Sequence, residues 1–364
     1  MNELNLKIQN PYQYDTKKYC FNLFETMHIQ VIPWNNAKGY VFFSHPCFCY
    51  SSVCPQIHDQ FSDFVEAPMD LLLSDKRMNF LNKIVAEQDF SLCHGCPKYQ
   101  LRETTGFWDR DDFEYMFERK YGSKCYDGFK YRHLTTILPL TIMFNLDTSC
   151  NLKCKTCRSN FITKTHTLTD EDIAQLVYMA KKVECVSLGG DGEFFVSKNY
   201  RRILASDLSN DSNIRNIVLY TNGTMFNEKH WDMIHDSSKP LIKEVKISLD
   251  AATPETYAAV RGPVGWKMVM NNMPFIQQLK EQNGIKLSTT YTISKYNIQD
   301  VRKFYDFATD LGFDYIMFQF ARDVFHPEAG EAENFIVPPN ERQDIMNYLL
   351  SLQQEHGCQK VLIE

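Results

Sequence analysis

From about Leu140 onward, short apolar runs alternate with segments of helical period, and that alternation leaves the chain few possible architectures. The strand candidates are Leu140–Asp147, Cys185–Gly189, Ile214–Thr221, Ile242–Asp250, Ile285–Ile293 and Tyr315–Phe320. Strands separated by helices imply a parallel sheet with helices packed outside it, either a barrel or a doubly wound sheet. Six strands, or seven with Lys360–Ile363, are fewer than the eight of a closed barrel, so the expected class is α/β with a partial (β/α)6 barrel.

The intervening segments carry explicit start and stop signals. Thr169 with Asp172 three residues later makes a capping-box-like start, and Ile173, Leu176, Val177 and Ala180 form one apolar face. Asn297 is expected to cap a helix carrying Ile298, Val301, Phe304, Ala308 and Leu311, stopped by Gly312. Asn340 is expected to cap another, with Ile345, Leu349 and Leu352 inward and Gly357 as its stop. Trp266–Leu279 also reads as helix, kinked or split by Pro274. Residues 1–135 differ in texture: cysteine-rich, aromatic and without clear alternation, with a helix expected within Met69–Glu87. The expected division is therefore 1–135 as one region and 136–364 as the barrel.

With 44% hydrophobic and 13% aromatic residues in 364, the chain can bury a substantial core. Its net charge of −6 comes without long single-sign blocks and leaves no footprint for nucleic acid or an anionic membrane. Met1–Tyr14 lacks the apolar core of a signal peptide, and no apolar run is long enough to cross a bilayer. The expected location is the cytoplasm, where thiols stay reduced, so 12 cysteines call for a reason other than disulfides. Eight of them fall into two close groups, as metal or iron–sulfur ligation would require.

The sharper group is Cys150-Asn-Leu-Lys-Cys154-Lys-Thr-Cys157, just after the first strand of the alternating region. Three thiolates at this spacing can wrap three irons of one [4Fe–4S] cube and leave the fourth iron open to a ligand. The competing reading is half of a zinc site completed by Cys93 and Cys96, since zinc takes four ligands, commonly from CxxC-like pairs. Three further motifs follow at strand ends: Gly189-Gly190-Asp191-Gly192-Glu193, Leu219-Tyr220-Thr221-Asn222-Gly223, and Ile247-Ser248-Leu249-Asp250-Ala251 with Arg261-Gly262 behind it. Polar side chains at the C-terminal ends of parallel strands face the place where such folds bind ligands. Any one of these motifs alone reads as ordinary turn chemistry.

Taken together, in this order, they resemble the radical S-adenosylmethionine (SAM) superfamily over roughly Leu140–Phe320. The glycine–acid turn is similar to that family's Gly-Gly-Glu-Pro motif, with Phe194 in place of proline, and Thr156 stands where an aromatic or apolar residue is usual. The resemblance implies that Cys150, Cys154 and Cys157 hold a reductive [4Fe–4S] cluster. It implies that Gly190, Gly192, Glu193, Thr221, Asn222, Ser248, Asp250 and Arg261 bind SAM. The family cleaves SAM to a 5′-deoxyadenosyl radical that removes a hydrogen atom from a substrate, fed by an electron donor such as flavodoxin or ferredoxin.

The second group, Cys47-Phe-Cys49 and Cys54 followed by Cys93-His-Gly-Cys96, looks like an auxiliary-cluster module of the SPASM type over roughly Trp34–Tyr99. Cys47, Cys54, Cys93 and Cys96 are the favoured ligands of a second [4Fe–4S] cluster, with Cys49 as substitute. The absence of a segment long enough for a leader-peptide-binding domain before it tilts the expected substrate toward a carbohydrate or other small molecule. A maturase acting on a ribosomally made peptide is the alternative. A non-catalytic zinc- or cluster-binding interaction protein is the alternative of another class. Among the leftover cysteines, Cys185 opens a strand and reads as a buried small hydrophobe.

Overall fold

The computed structural model describes residues 26–33, 35–45, 63–71, 74, 79, 139, 141–158, 161–162, 166–321, 335–357 and 360–363. It divides into two compact units, Met1–Phe144 with Thr169–Val186, and Asn145–Leu168 with Ser187–Glu364. Cys47, Cys49, Cys54, Cys93 and Cys96 lie outside the described residues, as does most of Met69–Glu87, where Pro68–Leu71 forms a short 3-10 turn.

The first unit holds strands β1 (Thr26–Pro33), β2 (Tyr40–His45) and β3 (Asp63–Val65), helix α1 (Asp170–Lys181), β4 (Thr141–Asn145) up to Phe144 and β5 (Cys185–Leu188) up to Val186. β1 and β2 form an antiparallel hairpin with Pro33 opposite Tyr40, and β3 adds on the far side of β2. This meander was not expected from the sequence. Tyr40, Val41, Phe42, Phe43 and Ser44 are all buried, so both faces of β2 are covered and no period of two is written into it.

Thr169 caps α1 as expected, its Oγ1 accepting the N–H of Asp172 at 3.1 Å. Asp172 does not complete the reciprocal half of the box. Its carboxylate accepts from the Tyr40 hydroxyl at 2.6 Å and the Lys38 ammonium at 2.9 Å, and the Thr169 N–H donates to the Tyr40 hydroxyl at 3.1 Å. The helix start is thus fastened to the β1–β2 hairpin by a buried charge. These bonds hold the Asp172 carboxyl below its usual pKa despite burial, which alone would raise it.

The second unit runs through α2 (Lys198–Leu204), β6 (Asn216–Thr221), α3 (Glu228–Trp231), β7 (Ile242–Ser248), α4 (Pro254–Arg261), α5 (Gly265–Asn283), β8 (Lys286–Ile293), α6 (Val301–Asp310), β9 (Tyr315–Phe320), α7 (Pro339–His356) and β10 (Val361–Ile363). β6 to β10 lie in sequence order, each parallel to the next. The expected strands from Ile214 to Ile363 are all present, with ends trimmed by at most two residues. No helix among the described residues is long and apolar enough to cross a membrane.

The two faces of this sheet differ. On one, Ile247, Tyr291 and Phe318 are buried; Phe304 of α6 packs 4.4 Å (ring centroids) from Tyr291, and Val269 of α5 lies beside Ile247 at the Gly223 turn. On the other, Lys246, Ser248, Thr290, Thr292, Tyr315 and Gln319 remain partly exposed. The register places Tyr220, Lys246, Ser288 and Tyr315 in one rung straight across β6 to β9.

Three helix expectations need correction. α5 continues through Pro274 without splitting, because Pro274 sits on its exposed side, where water can satisfy the carbonyl that proline leaves unbonded. Asn297 does not cap with its side chain: Nδ2 donates to the carbonyls of Asp250 (2.9 Å) and Thr292 (3.0 Å), binding the ends of β7 and β8 together, and α6 is entered through a 3-10 turn. Asn340 lies within the first turn of α7, whose first residue is Pro339, since proline's fixed φ suits that position.

Candidate cofactor site

The thiol loop begins where β4 ends, and hydrogen bonds on both sides fix its path. Leu146 N–H donates to the Tyr200 hydroxyl at 2.9 Å, Cys150 N–H to the Ile162 carbonyl at 2.7 Å, and Lys155 N–H to the Val260 carbonyl at the end of α4 at 2.8 Å. Cys157 and Arg158 N–H both turn back to the Cys154 carbonyl, at 3.0 and 2.9 Å, which closes the loop into a tight turn.

Each thiol receives one polar side chain. Asn222 Nδ2 approaches Cys150 Sγ at 3.8 Å, Arg261 Nη1 approaches Cys154 Sγ at 3.8 Å, and Arg158 brings both Nε and Nη2 to Cys157 Sγ at 3.4 Å. Arg158 also donates to the carbonyls of Thr148 and Asp191, so it ties the loop to the glycine–acid turn. The sequence reading missed Arg158; its signal was a guanidinium directly after the third cysteine. Burial pushes the Cys154 thiol up to about 12, and the neighbouring Cys157 and Cys150 push the same way against Arg261.

In the glycine–acid turn, Gly192 is the position with no alternative. A Cβ there would lie 2.5 Å from the Asp147 carbonyl oxygen and 2.6 Å from that of Ser149. Gly189 has φ +100 and would set a Cβ 2.7 Å from the Tyr220 carbonyl oxygen, whereas Gly190 is exposed. Glu193, 1% exposed, accepts from the Thr221 hydroxyl at 2.6 Å, from Asn222 N–H at 2.6 Å and from Phe195 N–H at 3.3 Å. Burial raises its pKa, opposed by these donors.

Asp250 and Arg261 form a buried ion pair, Arg261 Nε donating to Oδ2 at 2.9 Å, while Thr292 N–H donates to Oδ1 at 2.6 Å. Asp250 has φ 55, a left-handed backbone that costs about 1 kcal/mol for a residue with a Cβ. Its three partners hold it there: Arg261, Thr292 and, through its carbonyl, Asn297. Ser248 stands half-buried at the end of β7. All the expected SAM residues of the second unit therefore stand at or beside the C-terminal strand ends. Thr221 and Asp250 spend their side chains on Glu193 and Arg261, whereas Asn222 gives Glu193 its backbone N–H and turns its side chain to Cys150, Asn151 and Thr224.

The donors fit a three-thiolate cluster: the three thiols of one loop are near enough for each charge to act on the others. Asn145, buried at the end of β4, leaves both Nδ2 and Oδ1 without a partner. A buried unpaired polar atom costs about 1–3 kcal/mol, which a polar ligand at the strand end would offset.

Residues 145–308 match the Radical SAM superfamily. An AdoMet-dependent heme synthase of Methanosarcina barkeri is 24% identical over 229 residues, 62% of this chain and 61% of the relative, so the chain spans less than two thirds of that protein's length. Among solved structures, SuiB of Streptococcus suis bound to S-adenosylmethionine is 14% identical, with a TM-score of 0.48 over 81% of this chain and 65% of its own. anSMEcpe with bound AdoMet is 17% identical, with a TM-score of 0.46 over 62% of this chain and 64% of its own. The matched segment begins at the end of β4 and takes in the thiol loop, the glycine–acid turn, and the ends of β6 and β7. The likeness to that superfamily thus covers the segment that holds the thiol loop and the strand ends, less than half of the chain.

Proposed function

We propose that the chain is a radical SAM enzyme in which Cys150, Cys154 and Cys157 hold a [4Fe–4S] cluster and SAM lies against the neighbouring strand ends. The observation that carries this reading is the meeting of three thiols with Glu193, Asn222 and Arg261 at one loop. Once reduced, such a cluster with SAM supplies a 5′-deoxyadenosyl radical able to remove a hydrogen atom from a substrate.

The chain's own residues bind, orient and exclude water. Glu193 accepts the amino group of the methionine moiety, the open backbone at Gly190 allows close approach, and Gly192 keeps the turn pressed onto the thiol loop. Ser248 and Arg261 address the carboxylate or ribose. Thr221, Asn222 and Asp250 act by holding Glu193 and Arg261 in place. A flavodoxin or ferredoxin provides the electron.

Further parts of this reading concern the N-terminal region, proposed as a separate module over 1–135. There Cys47, Cys54, Cys93 and Cys96, with Cys49 as substitute, would hold a second [4Fe–4S] cluster. The substrate is a small molecule or sugar; the relative named a heme synthase also supports a small molecule over a peptide.

Anaerobic reconstitution tests the whole. Brown protein should carry about eight irons and eight sulfides per chain with both clusters loaded, and about four of each with the barrel cluster alone. With dithionite it should release 5′-deoxyadenosine from SAM, and the Cys150/Cys154/Cys157 triple alanine variant should not. Colourless zinc protein, or SAM cleavage surviving the triple variant, would refute the reading.

A further inference from the structure

On the partly exposed face of the parallel sheet, the strand Ile242-Lys-Glu-Val-Lys-Ile-Ser248 places an ion pair. Lys246 Nζ lies 3.6 Å from Glu244 Oε1, with side-chain exposures of 20% and 17%. Glu244 Oε1 also accepts from the Ser288 hydroxyl and the Tyr315 hydroxyl, both at 2.9 Å. The ammonium is lodged between aromatic faces, 5.1 Å from the centroid of Tyr220 and 5.8 Å from that of Tyr315.

Stability does not explain this arrangement. Drawing two charges out of water costs several kcal/mol, and a pair of apolar residues on a parallel strand would serve as well or better. The pairing is also lopsided. Three groups converge on a single oxygen of Glu244, whereas the Lys246 ammonium, with three donors, has the Tyr315 hydroxyl and, at slightly more than hydrogen-bond length, Glu244. Burial alone would lower the Lys246 pKa, but Tyr220, Glu244 and Tyr315 together raise it well above the usual value, so the ammonium stays charged.

Its height in the sheet gives the arrangement a direction. Ser248, two residues on along the same face, is roughly 7 Å nearer the strand ends where SAM is proposed to lie. Lys246 shares its rung with Tyr220, the residue before Thr221, which holds Glu193. Glu244 is one rung further from that end. A molecule entering from the strand ends therefore meets the ammonium first and the carboxylate behind it.

We infer that Lys246 is a substrate-binding residue that anchors a carboxylate of the substrate, with Glu244, Ser288 and Tyr315 as positioning residues that hold the ammonium upright. This rests on the reading of the strand ends as the SAM site and adds the substrate class to it. A monoanionic carboxylate suits the geometry better than a phosphate dianion, whose second charge would face Glu244.

Saturation-transfer NMR on the full chain, with hexanoate, hexanamide and hexyl phosphate as probes, tests the inference. Hexanoate should bind, hexanamide and hexyl phosphate should bind at least about tenfold more weakly, and Lys246→Met should lose the hexanoate preference, as expected for a charge-assisted hydrogen bond. Lys246→Arg should keep it, which guards against a Met variant that folds poorly. Equal binding of acid and amide by the wild type, preference for the phosphate, no binding at all, or an unchanged preference in Lys246→Met would each overturn the anchor. Running the same series with and without reconstituted iron separates the two readings. A chain that takes up no cluster yet prefers hexanoate sinks the SAM reading alone, and the converse sinks the anchor alone.

Discussion

Arg158 sets two N–H groups, Nε and Nη2, on the sulfur of Cys157, each at 3.4 Å. Hydrogen bonds to a cluster sulfur stabilise the more negative, reduced state and so raise the potential. Arg158→Lys should keep the iron and lower the midpoint potential by about 40 mV, for a loss of roughly 1 kcal/mol of differential bonding in a one-electron step. An EPR-monitored redox titration reads this directly. An unchanged midpoint would reduce Arg158 to a clasp between the Thr148 and Asp191 carbonyls.

Glu193→Ala should weaken SAM binding about tenfold or more while leaving the iron content unchanged, because a charged acceptor is lost and the thiols stay. Equilibrium dialysis of SAM, alongside iron analysis, separates those two effects. Equal affinity in variant and wild type would make Glu193 a purely structural acid bridging Ser149, Thr221 and Asn222.

Asp250→Ala removes the counter-charge of a buried guanidinium and leaves a Cβ in the left-handed backbone at φ 55. The expected cost is about 3–5 kcal/mol in urea unfolding, the usual penalty for breaking a buried pair from one side. Replacing both Asp250 and Arg261 should cost clearly less than the sum of the two single changes. Strict additivity in that double-mutant cycle would mean the pair is not coupled.

Asp172 supplies the pH prediction. Its folded pKa is held below the ordinary carboxyl value by Tyr40, Lys38 and Thr169, with burial working against them. The stabilisation is therefore complete above about pH 4, the usual unfolded value, and is lost as pH falls through the lower folded value. Asp172→Asn should destabilise the protein by about 1–3 kcal/mol near neutrality and flatten the acid limb of its melting-temperature profile. Parallel profiles for the two proteins would show that the buried charge contributes nothing to acid unfolding.

How much of this was written in the sequence varies from residue to residue. β7 was plain because Val245 and Ile247 alternate with more polar neighbours, and the thiol loop was plain because its spacing is local. β2 was hidden because both of its faces are covered, which erases alternation. Asn297 looked like a cap because asparagine before an apolar helix usually is one; only the fold brings the carbonyls of Asp250 and Thr292 within its reach. Arg261 and Asp250 could be named as site residues from their motif, but not as partners of each other, since an 11-residue separation carries no contact information. Lys246 passed as an ordinary strand charge until the register set Tyr220 and Tyr315 in its rung.

The side chains that meet the three thiols come from different distances along the chain. Cys157 meets the residue next to it, Cys150 meets one 72 positions later, and Cys154 meets one 107 positions later. During synthesis, the cysteine loop leaves the ribosome well before α4 exists to supply Arg261. A nascent chain can thus expose all three thiols while lacking two of the groups that surround them. Metal captured at that stage would be held by a loop free to take other geometries. Two of the three thiols thus gain their polar neighbours only after the polypeptide has grown past residues 222 and 261.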